Sequence, residues 1–138
     1  MINLPENIDE EIYKNTISEF EKCKLYDYEN FNLDDLKSDL TKDCGIVYMF
    51  YTKNDNEEEL KYIGKSTWKY FKTRLKSHFE GVGKGTQSKY LSIKSEKEKG
   101  NKVYFKYVQT NPIYLRNYIE EMLIEKLNSD KTLWNYKH

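Results

Sequence analysis

From Ile8 to about Lys24, the apolar positions Ile8, Ile12, Tyr13, Ile17 and Phe20 recur at steps of three and four, the spacing of an amphipathic helix. Asn7 or Asp9 is placed to cap it. A shorter helix is expected from about Leu33 to Leu40, with Asn32 as cap and Asp34 and Asp35 in the first turn, where negative charge suits the helix dipole. The pattern changes at Cys44. Gly45 to Tyr51 (GIVYMFY) and Leu60 to Gly64 (LKYIG) are rich in β-branched and aromatic residues and read as strands, joined by the polar connection Thr52 to Glu59. Alternation assigns Ile46, Tyr48 and Phe50 to one face of the first strand, and Leu60, Tyr62 and Gly64 to one face of the second. Helical spacing returns over Trp68 to Glu80, with Trp68, Phe71, Leu75 and Phe79 as the buried stripe and Gly81 to Gly85 as its end. Gln87 to Lys99 reads as another helix and Lys102 to Gln109 as a third strand. Pro112 opens a final helix to about Asn128.

The order β-β-α-α-β-α predicts an α+β domain over residues 43–138, a small three-stranded antiparallel sheet flanked by helices. Residues 1–42 form a helical N-terminal extension, expected to be an accessory layer. A chain of 138 residues suits one compact domain and one active site. Hydrophobic residues make up 38% and charged residues 33%, and the mean hydropathy of -0.93 implies a polar surface. No apolar run approaches the ~20 residues that span a bilayer, and Met1 to Glu21 lacks the zones of a signal peptide, so a cytosolic protein is expected. Cys23 and Cys44 are too few and too far apart for a disulfide framework or a CxxC element and are read as free thiols. Together with His78 and His138 they lack the paired spacing of a structural zinc site.

Formal net charge is zero, but it is unevenly spread. Residues 1–60 carry 6 Lys against 16 acidic residues, residues 61–106 carry 13 basic residues against Glu80, Glu96 and Glu98, and residues 107–138 carry 4 of each sign. A polyanion would be drawn to the middle segment, with the acidic first segment turned away or covering the site until displaced. A solvated lysine-rich surface would give the same count.

Two helices carry candidate chemistry. Arg74 and His78 lie four apart, on one flank of a helix whose other flank is apolar. A guanidinium beside an imidazole suits a phosphate in its transition state, although such a pair also occurs simply as surface neighbours. In the final helix Glu120 shares a side with Leu123, Ile124 and Leu127, whereas Glu121 aligns with Asn117, Glu125 and Asn128. A carboxylate on an apolar flank needs either an ion-pair partner or a cation. The run Gly81 to Gly85 lacks the spacing of a phosphate-binding loop and reads as a flexible connection.

Gly45-Ile46-Val47-Tyr48, Tyr62-Ile63-Gly64-Lys65, Arg74 with His78, Glu120 and Asn135 together resemble the GIY-YIG nuclease superfamily in order and spacing, over about 95 residues. The small size and the ending resemble stand-alone phage and restriction-type members. The resemblance implies a DNA endonuclease of a bacterial or phage-infected cell, acting on double-stranded DNA with one Mg²⁺ or Mn²⁺ per site. It implies that Tyr48 orients and deprotonates water with Tyr62 as its companion, that Lys65 assists, that Arg74 stabilises the phosphorane-like state and that His78 hydrogen-bonds into the site. Glu120 becomes the metal ligand and Asn135 a brace. Lys69, Lys72, Lys76, Lys84 and Lys89 are the expected DNA contacts. A homo-oligomer would let one-site chains cut both strands. The competing reading is a non-cleaving DNA-binding or protein-interaction module on the same fold. The first motif departs from the family string, since Val47 follows Gly45-Ile46, and Tyr48 is aligned by strand position. The stretch from Gly64 to Arg74 is about two residues longer than usual.

Overall fold

The computed structural model describes residues 1–83, 88–128 and 132–136. The elements run α1 (Ile8–Lys22), β1 (Tyr26–Asp27), α2 (Leu36–Asp39), β2 (Gly45–Asn54), β3 (Glu57–Thr67), α3 (Phe71–Glu80), α4 (Tyr90–Glu98), β4 (Lys102–Thr110) and α5 (Leu115–Leu127). Short 3-10 turns cover Tyr28–Asn30, Leu33–Asp35 and Trp134–Tyr136. Asn32 caps the turn before α2, its side chain accepting from the Asp34 amide at 3.0 Å. Asn7 stands at the start of α1 in a left-handed conformation, without a side-chain capping bond.

The sheet is antiparallel, in the order β1-β4-β2-β3. It has four strands where the sequence predicts three. The added strand comes from the N-terminal segment, with Tyr26 opposite Phe105 and Asp27 opposite Tyr104. Two residues carry no alternation to read. Side-chain packing holds them instead, with the Tyr26 ring 4.8 Å from that of Phe31 and 5.5 Å from that of Phe105.

The β2–β3 hairpin is also longer than its apolar runs. Both strands continue through polar residues to a two-residue turn at Asp55 and Asn56, where Asp55 has φ 53°. Phe50 faces Tyr62 while Tyr51 faces Leu60, so Lys61 is the extra residue of a bulge. Leu60 therefore packs on the opposite face from Tyr62, against strict alternation.

Each face has its own core. On one face, Ile46, Tyr48, Phe50, Tyr62 and Phe105 pack against Phe71, Leu75 and Phe79 of α3 and Ile93 of α4. Leu36, only 2% exposed, joins this core from the N-terminal segment. On the other face, Val47, Met49 and Ile63 pack against Phe20 of α1 and Ile119 and Leu123 of α5. Gly45 lies where β2 meets the approach to α5; a Cβ there would come within 2.4 Å of Thr110 Oγ1 and 2.6 Å of the Ile113 carbonyl oxygen. Among the described residues no helix is long and apolar enough to cross a membrane.

Candidate active site

The site is built around one close approach in the hairpin. Tyr48 lies opposite Gly64 in the register, and its ring lies over that glycine. A Cβ at position 64 would sit 2.4 Å from Tyr48 Cζ and 2.5 Å from its hydroxyl oxygen, so no larger residue fits beneath the ring. Tyr62 lies on the same face, with ring centroids 6.0 Å apart. Helix α3 lies above both phenols and brings Arg74 and His78, one turn apart, onto them.

His78 is fully buried. The Lys89 backbone N–H donates to His78 Nδ1 at 3.0 Å, so that nitrogen must carry a lone pair. The neutral ring then bears its proton on Nε2, which lies 2.8 Å from the Tyr48 hydroxyl and donates to it. Burial, followed by the charges of Arg74 and Lys89, pushes the His78 pKa down to about 3, which keeps this tautomer uncharged. The positive charge of Arg74 acts on both phenols and opposes the rise of each pKa. Burial raises the Tyr48 pKa well above the usual phenol value; the Tyr62 charge adds to this and Arg74 opposes it. Burial likewise raises Tyr62, again opposed by Arg74. Both are neutral phenols near pH 7.

Glu120 reaches the same place from the other side. Lys65 lies opposite Val47, on the face turned away from Tyr48, and its ammonium is 3.4 Å from a Glu120 carboxylate oxygen. The Glu120 side chain is only 16% exposed. Burial raises its pKa, Lys65 opposes this through charge and hydrogen bond, and Arg74 acts in the same direction as Lys65. Glu120 in turn raises the Tyr62 phenol, so the two groups feel each other around the edge strand. The site thus straddles β3. Glu121 is exposed.

Asn135 closes that edge. Its amide nitrogen donates to the Ile63 carbonyl at 2.7 Å, and its oxygen accepts from the Ile63 N–H at 3.0 Å. Ile63 sits between Tyr62 and Gly64, so the backbone carrying both is fixed by one side chain.

The expected DNA-contacting lysines separate. Lys89 points into the site, its ammonium 5.7 Å from the Tyr62 ring centre. No motif includes it, and sequence reasoning assigned it only to the DNA surface. Lys72 pairs with Asp34 at 2.7 Å, and Lys69 lies 5.6 Å from the Tyr70 ring centre. Lys76 is half-buried on α3, and Lys84 lies outside the described residues. Lys97 and Lys102 pair with Glu29 and Asp27, so the acidic segment lies against part of the basic one.

The family model of the GIY-YIG catalytic domain matches residues 44–136. The chain belongs to the GIY-YIG nuclease family. No curated protein and no solved structure matches it. The offset first motif of this GIY-YIG domain has a simple geometry, because Val47 packs into the core beneath α1 and α5 while Tyr48 shares the face of Tyr62. The stretch before Arg74 forms a turn over Trp68 to Tyr70, ahead of α3.

Proposed function

We propose that the protein is a metal-dependent endonuclease that hydrolyses phosphodiester bonds of double-stranded DNA. The observation that carries this reading is the meeting of two neutral phenols, a guanidinium and a desolvated carboxylate across one sheet edge. A binding module has no use for a fully buried histidine held in one tautomer against a phenol.

Among the described residues there is no group of three or more His, Cys, Asp or Glu able to cage a metal. The donor set instead fits a hard cation that keeps most of its waters and takes one carboxylate, Glu120, together with substrate phosphate. Bound there, Mg²⁺ or Mn²⁺ would neutralise phosphate charge and lower the pKa of nearby phenols. Lys65 keeps Glu120 compensated before the cation arrives. Arg74 holds the phosphate oxygens as negative charge grows on them. Tyr48 and Tyr62 flank the place of the attacking water, and either would take its proton only as the phenolate, the form that Arg74 and a bound cation favour. His78 is already a donor to Tyr48, so it fixes that phenol rather than receiving its proton. Asn135 positions Tyr62 through Ile63. With one site per chain, cutting both strands takes two chains or two visits.

The test is plasmid nicking with Mg²⁺, with Mn²⁺ and with EDTA, using wild type, Glu120→Ala and Glu121→Ala. Wild type should nick with either metal and not with EDTA, Glu120→Ala should lose at least about three orders of magnitude in rate, and Glu121→Ala should keep most of it. Nicking by wild type in EDTA, or equal loss from the two glutamate variants, would overturn the assignment.

A further inference from the structure

Building on the nuclease reading, we infer that the ring of Tyr70 is a DNA contact that stacks on a nucleobase close to the scissile phosphate. Tyr70 stands immediately before α3, and its carbonyl accepts the Arg74 N–H at 2.9 Å, so it opens the turn that leads to Arg74. A spacing of four sets Tyr70, Arg74 and His78 along one flank of the helix. That flank runs from solvent into the site. Tyr70 is 58% exposed and Arg74 half-buried, whereas His78 is fully buried, its Nε2 2.8 Å from the Tyr48 hydroxyl. Across the buried stripe of Phe71, Leu75 and Phe79, on the other flank, Lys72 pairs with Asp34 of the N-terminal segment at 2.7 Å. DNA reaching the phenols along α3 therefore meets the Tyr70 flank and not the one held by the acidic segment.

Tyr70 belongs to neither core, whereas the next ring, that of Phe71, is fully buried and lies 5.5 Å from the Tyr48 ring. One exposed aromatic is ordinary by itself. What distinguishes this one is its company, since the Lys69 ammonium lies 5.6 Å from its ring centre. A ring and an ammonium side by side match the two parts of a nucleotide, the ring taking the base and the ammonium a phosphate next to it. The reach agrees. One turn of α3 separates Tyr70 from Arg74 by roughly 6 Å of rise, and DNA advances roughly 3.4 Å per nucleotide along each strand. The base that meets Tyr70 thus lies within about two nucleotides of the scissile phosphate. In a duplex the ring enters beside a partly unstacked step, and the opened base exchanges a stacking neighbour in the DNA for one in the protein. An uncharged ring adds affinity without releasing counterions, which separates its effect from that of the lysines.

The experiment measures binding of a mixed-sequence duplex over a range of salt, with EDTA present to keep the DNA intact, for wild type, Tyr70→Leu and Tyr70→Phe. The side chain is exposed, so both changes leave the two cores untouched. Tyr70→Leu should bind about tenfold more weakly at every salt concentration with the wild-type log-log slope, because it loses a stacking ring and no charge. Tyr70→Phe keeps the ring and should stay within about twofold of wild type. A duplex in which iododeoxyuridine replaces thymidine should cross-link to wild type at Tyr70 on irradiation, as located by mass spectrometry of the digested adduct. Wild-type affinity in Tyr70→Leu, a changed salt slope in that variant, or cross-links that map only elsewhere would overturn the proposal. The two readings fail differently: wild type that does not nick with Mg²⁺ or Mn²⁺ overturns the nuclease assignment and this one with it, whereas active wild type beside an indifferent Tyr70→Leu overturns Tyr70 alone.

Discussion

At the β1 edge of the sheet, Tyr26 and Asp27 pair with Phe105 and Tyr104, and the rings of Phe31, Phe105 and Tyr107 pack around Tyr26. At the β3 edge the closing group is a single amide, Asn135, on both backbone groups of Ile63. Both devices cover a strand edge, the first with packed rings and the second with one side chain. A broad apolar cover at β3 would close off the side chains of Lys65, 40% exposed, and Glu120, 16% exposed, from an approaching phosphate. The far edge has no such duty and takes the cheaper solution of packed rings. Under the proposed reading the molecule separates stability from chemistry along the direction of the sheet, and three measurements test how complete that separation is.

The largest effect is expected from Gly64→Ala at the working edge. The added methyl would meet the Tyr48 ring at 2.4 Å, so the ring must move and the phenol with it. Cleavage should fall by about 10²-fold or more, because a shift of about 1 Å in a catalytic group has that effect. Urea unfolding should show a loss of about 1–3 kcal/mol, typical of overpacking. Normal single-turnover rates for this variant would mean that Tyr48 is not held where the chemistry needs it.

Next comes Tyr26→Ala at the far edge. It removes a partly buried ring and weakens β1, with an expected loss of about 2 kcal/mol in urea titrations. The cleavage rate per folded molecule should stay within about twofold of wild type. A rate that falls with stability intact would break the separation of the two edges.

The smallest effect is a pH dependence confined to the working side. His78 has a folded-state pKa of about 3 against 6.5 for an ordinary histidine, so between those values the unfolded chain binds the additional proton. Its contribution is complete above pH 6.5 and is lost as pH falls toward 3, at up to about 1.4 kcal/mol per pH unit. Unfolding midpoints measured from pH 7 to pH 4 should drop for wild type and for Tyr26→Ala alike. A His78→Gln protein should be less stable at pH 7 and show a shallower drop; a slope identical to wild type would mean that other groups set the acid limb.

Much of this edge is legible in the sequence because glycine, tyrosine, arginine, histidine and glutamate stand at spacings that strand and helix periods convert into positions. Helix period alone separates Glu120 from Glu121, and strand position aligns Tyr48 past Val47. What stays hidden has physical causes. Tyr26 and Asp27 are too short a strand to alternate, and tertiary packing makes them one. The bulge at Lys61 reverses the face of Leu60 through backbone geometry that no side-chain pattern encodes. The two-residue turn at Asp55 lies inside a polar stretch that reads as a loop, because both strands continue as solvated ribbon. Lys89 enters the site by where α4 starts relative to α3, which is a property of the fold and of no local string.

The Asn135–Ile63 contact spans 72 residues of chain. At roughly 5–20 residues per second of synthesis, the tyrosine-bearing strand waits about 4 to 15 seconds for its brace. Tyr62, Arg74 and His78 all leave the ribosome before the group that fixes the backbone of β3 has been made. Under the proposed nuclease reading, cutting waits for Asn135, and a chain translated only through His78 carries Tyr62, Arg74 and His78 on a β3 without that brace.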